Sequence, residues 1–434
     1  MREYVLLLKK NRNYLYLWLG SVVSQLGDWF NLLASAEIIT DLTNNGVAIS
    51  YLFLARFLPL FLFSPLAGVL ADRLNRRTIL IISDLLRALT VLGFLFVRAS
   101  GQIWLFYVLT VLQFVLSALF TPARSAVLAN VVAEDDLVTA NTLDSLTWST
   151  MLALGAFLGG LVAATLGAET AFVMDSLTFL VSAWFISRIV MPALAKSAEV
   201  PQTGWLDFVD GFRYLWREPL ILTIALVKAA GSLVWGGINV LGITFAGQIF
   251  PLQEAVWARV LHIENGATAA LGIIYIVSGL GTGLGPVFMR RWLGDDRRRI
   301  LLGISIGFVF LTAGIWTLAR AMSFPVFLSG TLVRTVGSGT VWVFSAALLQ
   351  MLAPDRFRGR VFAFEFAALT LTQSVATFFA GYAQDSWGMD VRQVTAVLGW
   401  LSVVVVVLWI PFYWRARSLI QEMGTAAPLL KSIE

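Results

Sequence analysis

Ser21, Ser24, Gln25, Asp28, Asn31 and Ser35 interrupt an otherwise apolar run at spacings of three and four. On an α-helix those spacings put all six on one stripe. A carboxylate near the middle of a membrane-length run is expensive unless it faces water or a partner, and it can take up and release a proton. Asp28 is therefore the candidate proton carrier, with Ser24, Gln25 and Asn31 beside it as candidate substrate contacts. Glu37 falls nearly opposite Asp28 on the helical wheel, about 13 to 14 Å further along. It is the second proton-coupling candidate, at a depth where a glutamate can also snorkel to the interface.

Other ionisable residues lie within predicted spans, Arg56 and Arg334 deep and Arg124 and Lys228 in the cytoplasmic third. Arg56, Arg124, Lys228 and Arg334 are candidate cavity residues, and Arg56 has Asp28 or Glu37 as a candidate partner. Asp84 and Arg87, at i and i+3, are predicted to satisfy each other. Asp28 set against Arg124, Lys228 and Arg334 leaves an excess of positive charge, a site expected to prefer anionic or neutral amphiphiles over cations.

Such residues need membrane helices to hold them. Of 434 residues, 58% are hydrophobic and 13% charged, against about 25% charged in an ordinary soluble chain. A soluble enzyme, a nucleic-acid binder and a disordered scaffold are excluded on that ground. A transmembrane barrel has alternating strands, whereas Gly399–Trp414 is apolar on every face. Cysteine is absent and His262 is the only histidine, so neither thiol chemistry nor a transition-metal site is expected. Gly279, Gly281, Gly283 and Gly285 alternate in a pattern that is neither a dinucleotide fingerprint nor a P-loop. No cofactor is expected.

Apolar runs predict twelve spans near 14–39, 47–71, 78–98, 103–130, 141–166, 170–190, 219–246, 266–289, 300–319, 323–352, 361–384 and 391–414. With both ends cytoplasmic, most of the 31 Lys and Arg fall on the cytoplasmic side, leaving Arg98, Arg259, Arg320 and Arg392 outside, as the positive-inside rule requires. The N-terminal MREYVLLLKKNRN lacks a signal-peptide pattern and is read as a retained cytoplasmic tail. The longest polar break, 191–218, divides a six-helix bundle over 1–190 from a second bundle and short tail over 219–434. A shift of 220 residues pairs Ser125-Ala126-Val127-Leu128 with Ser345-Ala346-Ala347-Leu348, as internal repeats would. Within the break, Trp205, Phe208, Phe212, Leu215 and Trp216 predict an amphipathic helix at the membrane face.

The segment Gly68-Val69-Leu70-Ala71-Asp72-Arg73-Leu74-Asn75-Arg76-Arg77 resembles the loop signature between the second and third helices of the major facilitator superfamily, with Asn75 where glycine is usual. Asn also tolerates a left-handed turn. The phrases SQLGDWF, ARFLPLFLFSPLAGVLADR, TPARSAVLANVV and FRGRVF are similar to the macrolide-efflux and enterobactin-exporter branch of the drug:proton antiporters in that superfamily. The resemblance implies an all-α fold of twelve helices in two pseudo-symmetric six-helix bundles, with Asp28, Arg124, Lys228 and Arg334 on helices around a central cavity. Gly155, Gly159 and Gly160 resemble the end of an antiporter motif, with Ala156 replacing its proline, and small residues there also permit close helix packing.

Asp72 could face a helix N-terminus near Arg360, while Arg73, Arg76 and Arg77 could reach Glu134, Asp135 and Asp136. Together with Gly68 these residues form an expected conformational latch. The expectation is a secondary exporter of a drug- or siderophore-like amphiphile, driven by protons and acting as a monomer in the bacterial inner membrane. Its partners would be substrate, protons and lipid, with no nucleic acid. The alternative is a lipid or lysolipid flippase of the same fold.

Overall fold

The computed structural model describes residues 2–43, 45–133, 136–191, 213–252, 266–294 and 296–431. These residues form helices and their connections, without strands. A short helix α1 (Arg2–Lys10) leads into α2 (Arg12–Thr43), α3 (Gly46–Arg73), α4 (Arg76–Gly93), α5 (Ile103–Val131) and α6 (Leu137–Ser187). Then come α7 (Pro219–Thr244), α8 (Gly266–Leu293), α9 (Arg297–Arg320), α10 (Phe324–Leu352), α11 (Asp355–Asp385) and α12 (Val391–Lys431). A π-helical turn, Phe245–Ile249, closes α7.

Ten of the described helices are long and apolar enough to cross a membrane. The 51-residue α6 is two arms meeting at Gly167, whose φ of 81° breaks the helical path. That angle suits a residue without Cβ. The 32-residue α2 has the length of a span, and the polar stripe read from the sequence lies along it. With α2 and both arms of α6 counted as well, the described residues hold twelve segments of membrane length. Many large apolar side chains are exposed, among them Leu89, Trp104, Phe288 and Leu408. In lipid that exposure costs nothing, and close helix contact depends instead on small residues and polar pairs.

The chain forms two compact units. The first comprises Met1–Phe208, Val240–Gly279 and Thr377–Trp387. Its core around Leu7, Tyr14, Leu17, Phe120, Val127 and Ile186 packs α1, α2, α5 and α6. Two of its segments come from the second half of the sequence and pack at glycines. A Cβ on Gly160 would lie 3.1 Å from the Cα of Gly272, and one on Gly381 would strike Ser50 and the carbonyl of Gly46. The second unit comprises Val209–Asn239, Leu280–Ala376 and Gly388–Glu434. There α9 and α10 cross closely enough that a Cβ on Gly314 would strike the backbone of Arg334.

Asn75 does not turn left-handed. Its backbone is extended (φ −65°, ψ 110°) and its side chain accepts from the Thr78 N–H, capping the first turn of α4 as asparagine does well. Most of the amphipathic segment, residues 192–212, lies outside the described residues; of its apolar stripe, Leu215 is buried and Trp216 exposed. Tyr214, beside them, stacks on Phe357 at 4.2 Å.

Candidate functional site

In the first unit the ionisable residues of α2, α3, α4 and the second arm of α6 converge. Arg56 is buried on α3, stacked over Phe114 of α5 at 4.8 Å, and its guanidinium donates to the backbone carbonyl of Asp28 at 3.5 Å. Its Nη1 has no hydrogen-bond partner. Asp28 is half-buried, flanked by buried Ser24 and Asn31 and by half-buried Gln25. Asn31 accepts from Ser35 at 3.3 Å and leaves its amide nitrogen unpartnered.

Asp175, on the second arm of α6, completes the group. It has 0% exposure, and neither carboxylate oxygen has a hydrogen-bond partner. Its Oδ1 rests against Gly27, where a Cβ would collide with it and with Thr178 Oγ1. Asn31, Asp28, Arg56 and Arg87 are the polar and charged groups acting on it. Close by, Asp84 and Arg87 form the predicted i, i+3 ion pair. Ser182 donates to Asp84 at 2.7 Å, and Arg87 is held between Phe120 and Phe179 at 4.3 and 4.5 Å.

Nearer one end of the same unit, Arg124 on α5 pairs with Asp144 on α6 at 2.8 Å and donates to Ser21. Tyr14 donates to the Ala140 carbonyl at 2.9 Å and touches Asp144 at 3.4 Å. Glu37 accepts from Thr268 of α8 at 3.1 Å. Gly155 and Gly159 face Trp29, and Gly160 faces Gly272.

In the second unit Lys228 on α7 and Glu365 on α11 meet at 3.0 Å, both nearly inaccessible. The ammonium also lies 4.5 Å from the ring of Trp342 on α10. Arg334 is buried further along α10. Two of the three cations counted above against Asp28 thus have a carboxylate of their own, which removes the premise of a strongly positive site. Asp144, Asp175 and Glu365 were missed in the sequence. Each stands as an acid inside a predicted span, a signal that already points to a partner or a function, but no helical stripe marks it.

Of the latch residues, Glu134 and Asp135 lie outside the described residues, as do the side chains of Asp72 and Arg73, while Gly68 lies on α3. Arg77 donates to the carbonyls of Ile186 and Ser187, closing the end of α6, rather than to Asp136. Asp136 instead sits 3.8 Å from Lys10 in an exposed pair. Among the described residues no group of His, Cys, Asp and Glu could hold a metal ion.

Residues 17–364 match the family model described as Major Facilitator Superfamily. The MFS-type transporter YfiS of Bacillus subtilis is 27% identical over 416 residues, 92% of this chain and 93% of the relative. Macrolide efflux protein A of Streptococcus pyogenes is 21% identical over 384 residues, 86% and 90% of the two chains. A crystal structure of a mutant nucleoside transporter NupG superposes with a TM-score of 0.73 at 14% identity, covering 92% of this chain and 99% of that one. At that identity it speaks for the fold alone.

Proposed function

The chain belongs to the major facilitator superfamily, and from that premise we propose that it is a secondary active exporter of an amphipathic or hydrophobic small molecule, working by proton antiport and alternating access. It is a multi-pass membrane transporter rather than an enzyme. Both termini are read as cytoplasmic, because that threading puts most Lys and Arg on the inner side.

The single observation that carries proton coupling is the polar group around Asp28. A helix that only packs in lipid has no use for a half-buried carboxylate beside a buried arginine and a second, fully buried carboxylate with no partner in hydrogen-bond geometry. Such groups at membrane depth mark ion and proton pathways. Export is supported by the efflux relative named above and by the glycines at Gly155–Gly160.

The test is reconstitution of the full chain in proteoliposomes with a pH-sensitive dye inside. Erythromycin, a catechol siderophore, ethidium and a fluorescent phospholipid are offered in turn. Proton movement opposite to erythromycin or siderophore flux is the expected result. Phospholipid transfer without proton movement would replace the exporter by a flippase.

A further inference from the structure

Asp175 is not explained by packing. A buried carboxylate is ordinarily held by several donors, yet this one has none that meets hydrogen-bond geometry, and its Oδ1 lies against the Cα side of Gly27, one residue from Asp28. Four further polar atoms of the group are buried without partners within hydrogen-bond geometry: Gln25 Oε1, Asn31 Nδ2, Arg56 Nη1 and Arg87 Nε. Formal charges add a constraint. Asp84 and Arg87 cancel as an ion pair, which leaves Asp28, Asp175 and Arg56 one negative charge in excess. In a low-dielectric interior a single proton on the carboxyl pair brings the group to neutrality.

We propose that Asp175 and Asp28 form one proton-binding site holding a single shared proton, with Asp28 exchanging it with water and Asp175 storing it. The division follows from exposure: Asp28 is half-buried on the polar stripe, whereas Asp175 has no exposed surface. The proton passes from water to an Asp28 oxygen and on to an Asp175 oxygen, and the negative charge returns to Asp28 beside Arg56. Around the pair stand Arg56 from α3, Asp84 and Arg87 from α4, and Tyr275 from α8, which acts on Arg56. On α5 the neighbour is the uncharged Phe114. The proposal rests on the antiport reading only for the proton's use, not for its place.

Infrared difference spectra of the full chain in lipid, recorded across a pH titration with the proton as the only ligand, test it directly. Wild type is expected to show the carbonyl band of a protonated carboxyl group. Asp175→Asn removes that band, Asp28→Asn shifts its titration, and Asp175→Glu keeps it at a changed frequency. A wild-type band left intact in Asp175→Asn overturns the proposal. If that variant does not fold, a band of unchanged frequency in Asp175→Glu overturns it instead. Failure of erythromycin to drive proton movement in wild type, with the band behaving as expected, supports the proton site and retires only the antiport reading.

Discussion

Two buried charge groups, one in each unit, are handled in opposite ways. In the second, Lys228 and Glu365 meet at 3.0 Å beneath the ring of Trp342, and the cation and anion neutralise each other. In the first, Asp28 and Asp175 share one arginine, and Asp175 has no partner within hydrogen-bond geometry, Asn31 being the donor that acts on it. A closed pair is a fixed joint between helices, because separating it would strand a charge in a low dielectric. A group one positive charge short is chemically incomplete, and a proton is the smallest ligand that completes it. The position of buried acids in spans is therefore less informative than whether each has a matching base.

The comparison is broken most forcefully in the second unit. Glu365→Ala leaves Lys228 buried without its counter-charge and is expected to cost about 3 to 5 kcal/mol, read as a large drop in thermal midpoint in detergent. The paired replacement of Lys228→Met with Glu365→Leu removes both charges and should recover most of that loss. A single variant as stable as wild type would show that the pair is not a joint.

Gly27→Ala is next. Its new methyl group collides with Asp175 and Thr178, an overpacking expected to cost about 1 to 3 kcal/mol and to disturb proton coupling at the same time. Unchanged stability and coupling together would mean that α2 and α6 do not approach so closely.

Arg124→Gln, by contrast, breaks a pair whose side chains keep 19% and 18% exposure. Water replaces part of what is lost, and the expected cost is about 1 kcal/mol. A loss as large as that of Glu365→Ala would place this pair among the structural joints.

Asp28→Asn has the smallest expected effect on folding, within about 1 kcal/mol, since it removes a charge from a group that has too many negative ones. Its effect on function is the sharp one: vesicles should no longer concentrate substrate against a gradient. Accumulation at the wild-type rate would transfer the proton-carrier role to Glu37.

Much of this was legible in the sequence. The polar stripe through Asp28 followed from spacing alone, and so did the Asp84–Arg87 pair, because i, i+3 neighbours on one helix meet wherever the helix goes. The loop from Gly68 to Arg77 pointed to the family. The partners of Arg124 and Lys228 were not legible. Asp144 and Glu365 lie on other helices, and the rotation of one helix about its axis relative to the next leaves no mark in spacing. Asp175 stood in plain view as the only acid of its apolar run, but how little holds its carboxylate shows only when its neighbours are in place.

By itself the sequence determined that this chain is a helical membrane protein, because lipid offers no partner for backbone N–H and C=O groups and an apolar run of such length has only the helix to satisfy them. It also determined the faces of individual helices, since the helical repeat is a local property. Only the tertiary structure decided which buried charges are closed off and which are left short. That depends on which helices cross, at what depth and with which glycine admitting the neighbour, as Gly27 admits Asp175, and close crossings in lipid are fixed by packing among distant segments rather than by any one of them.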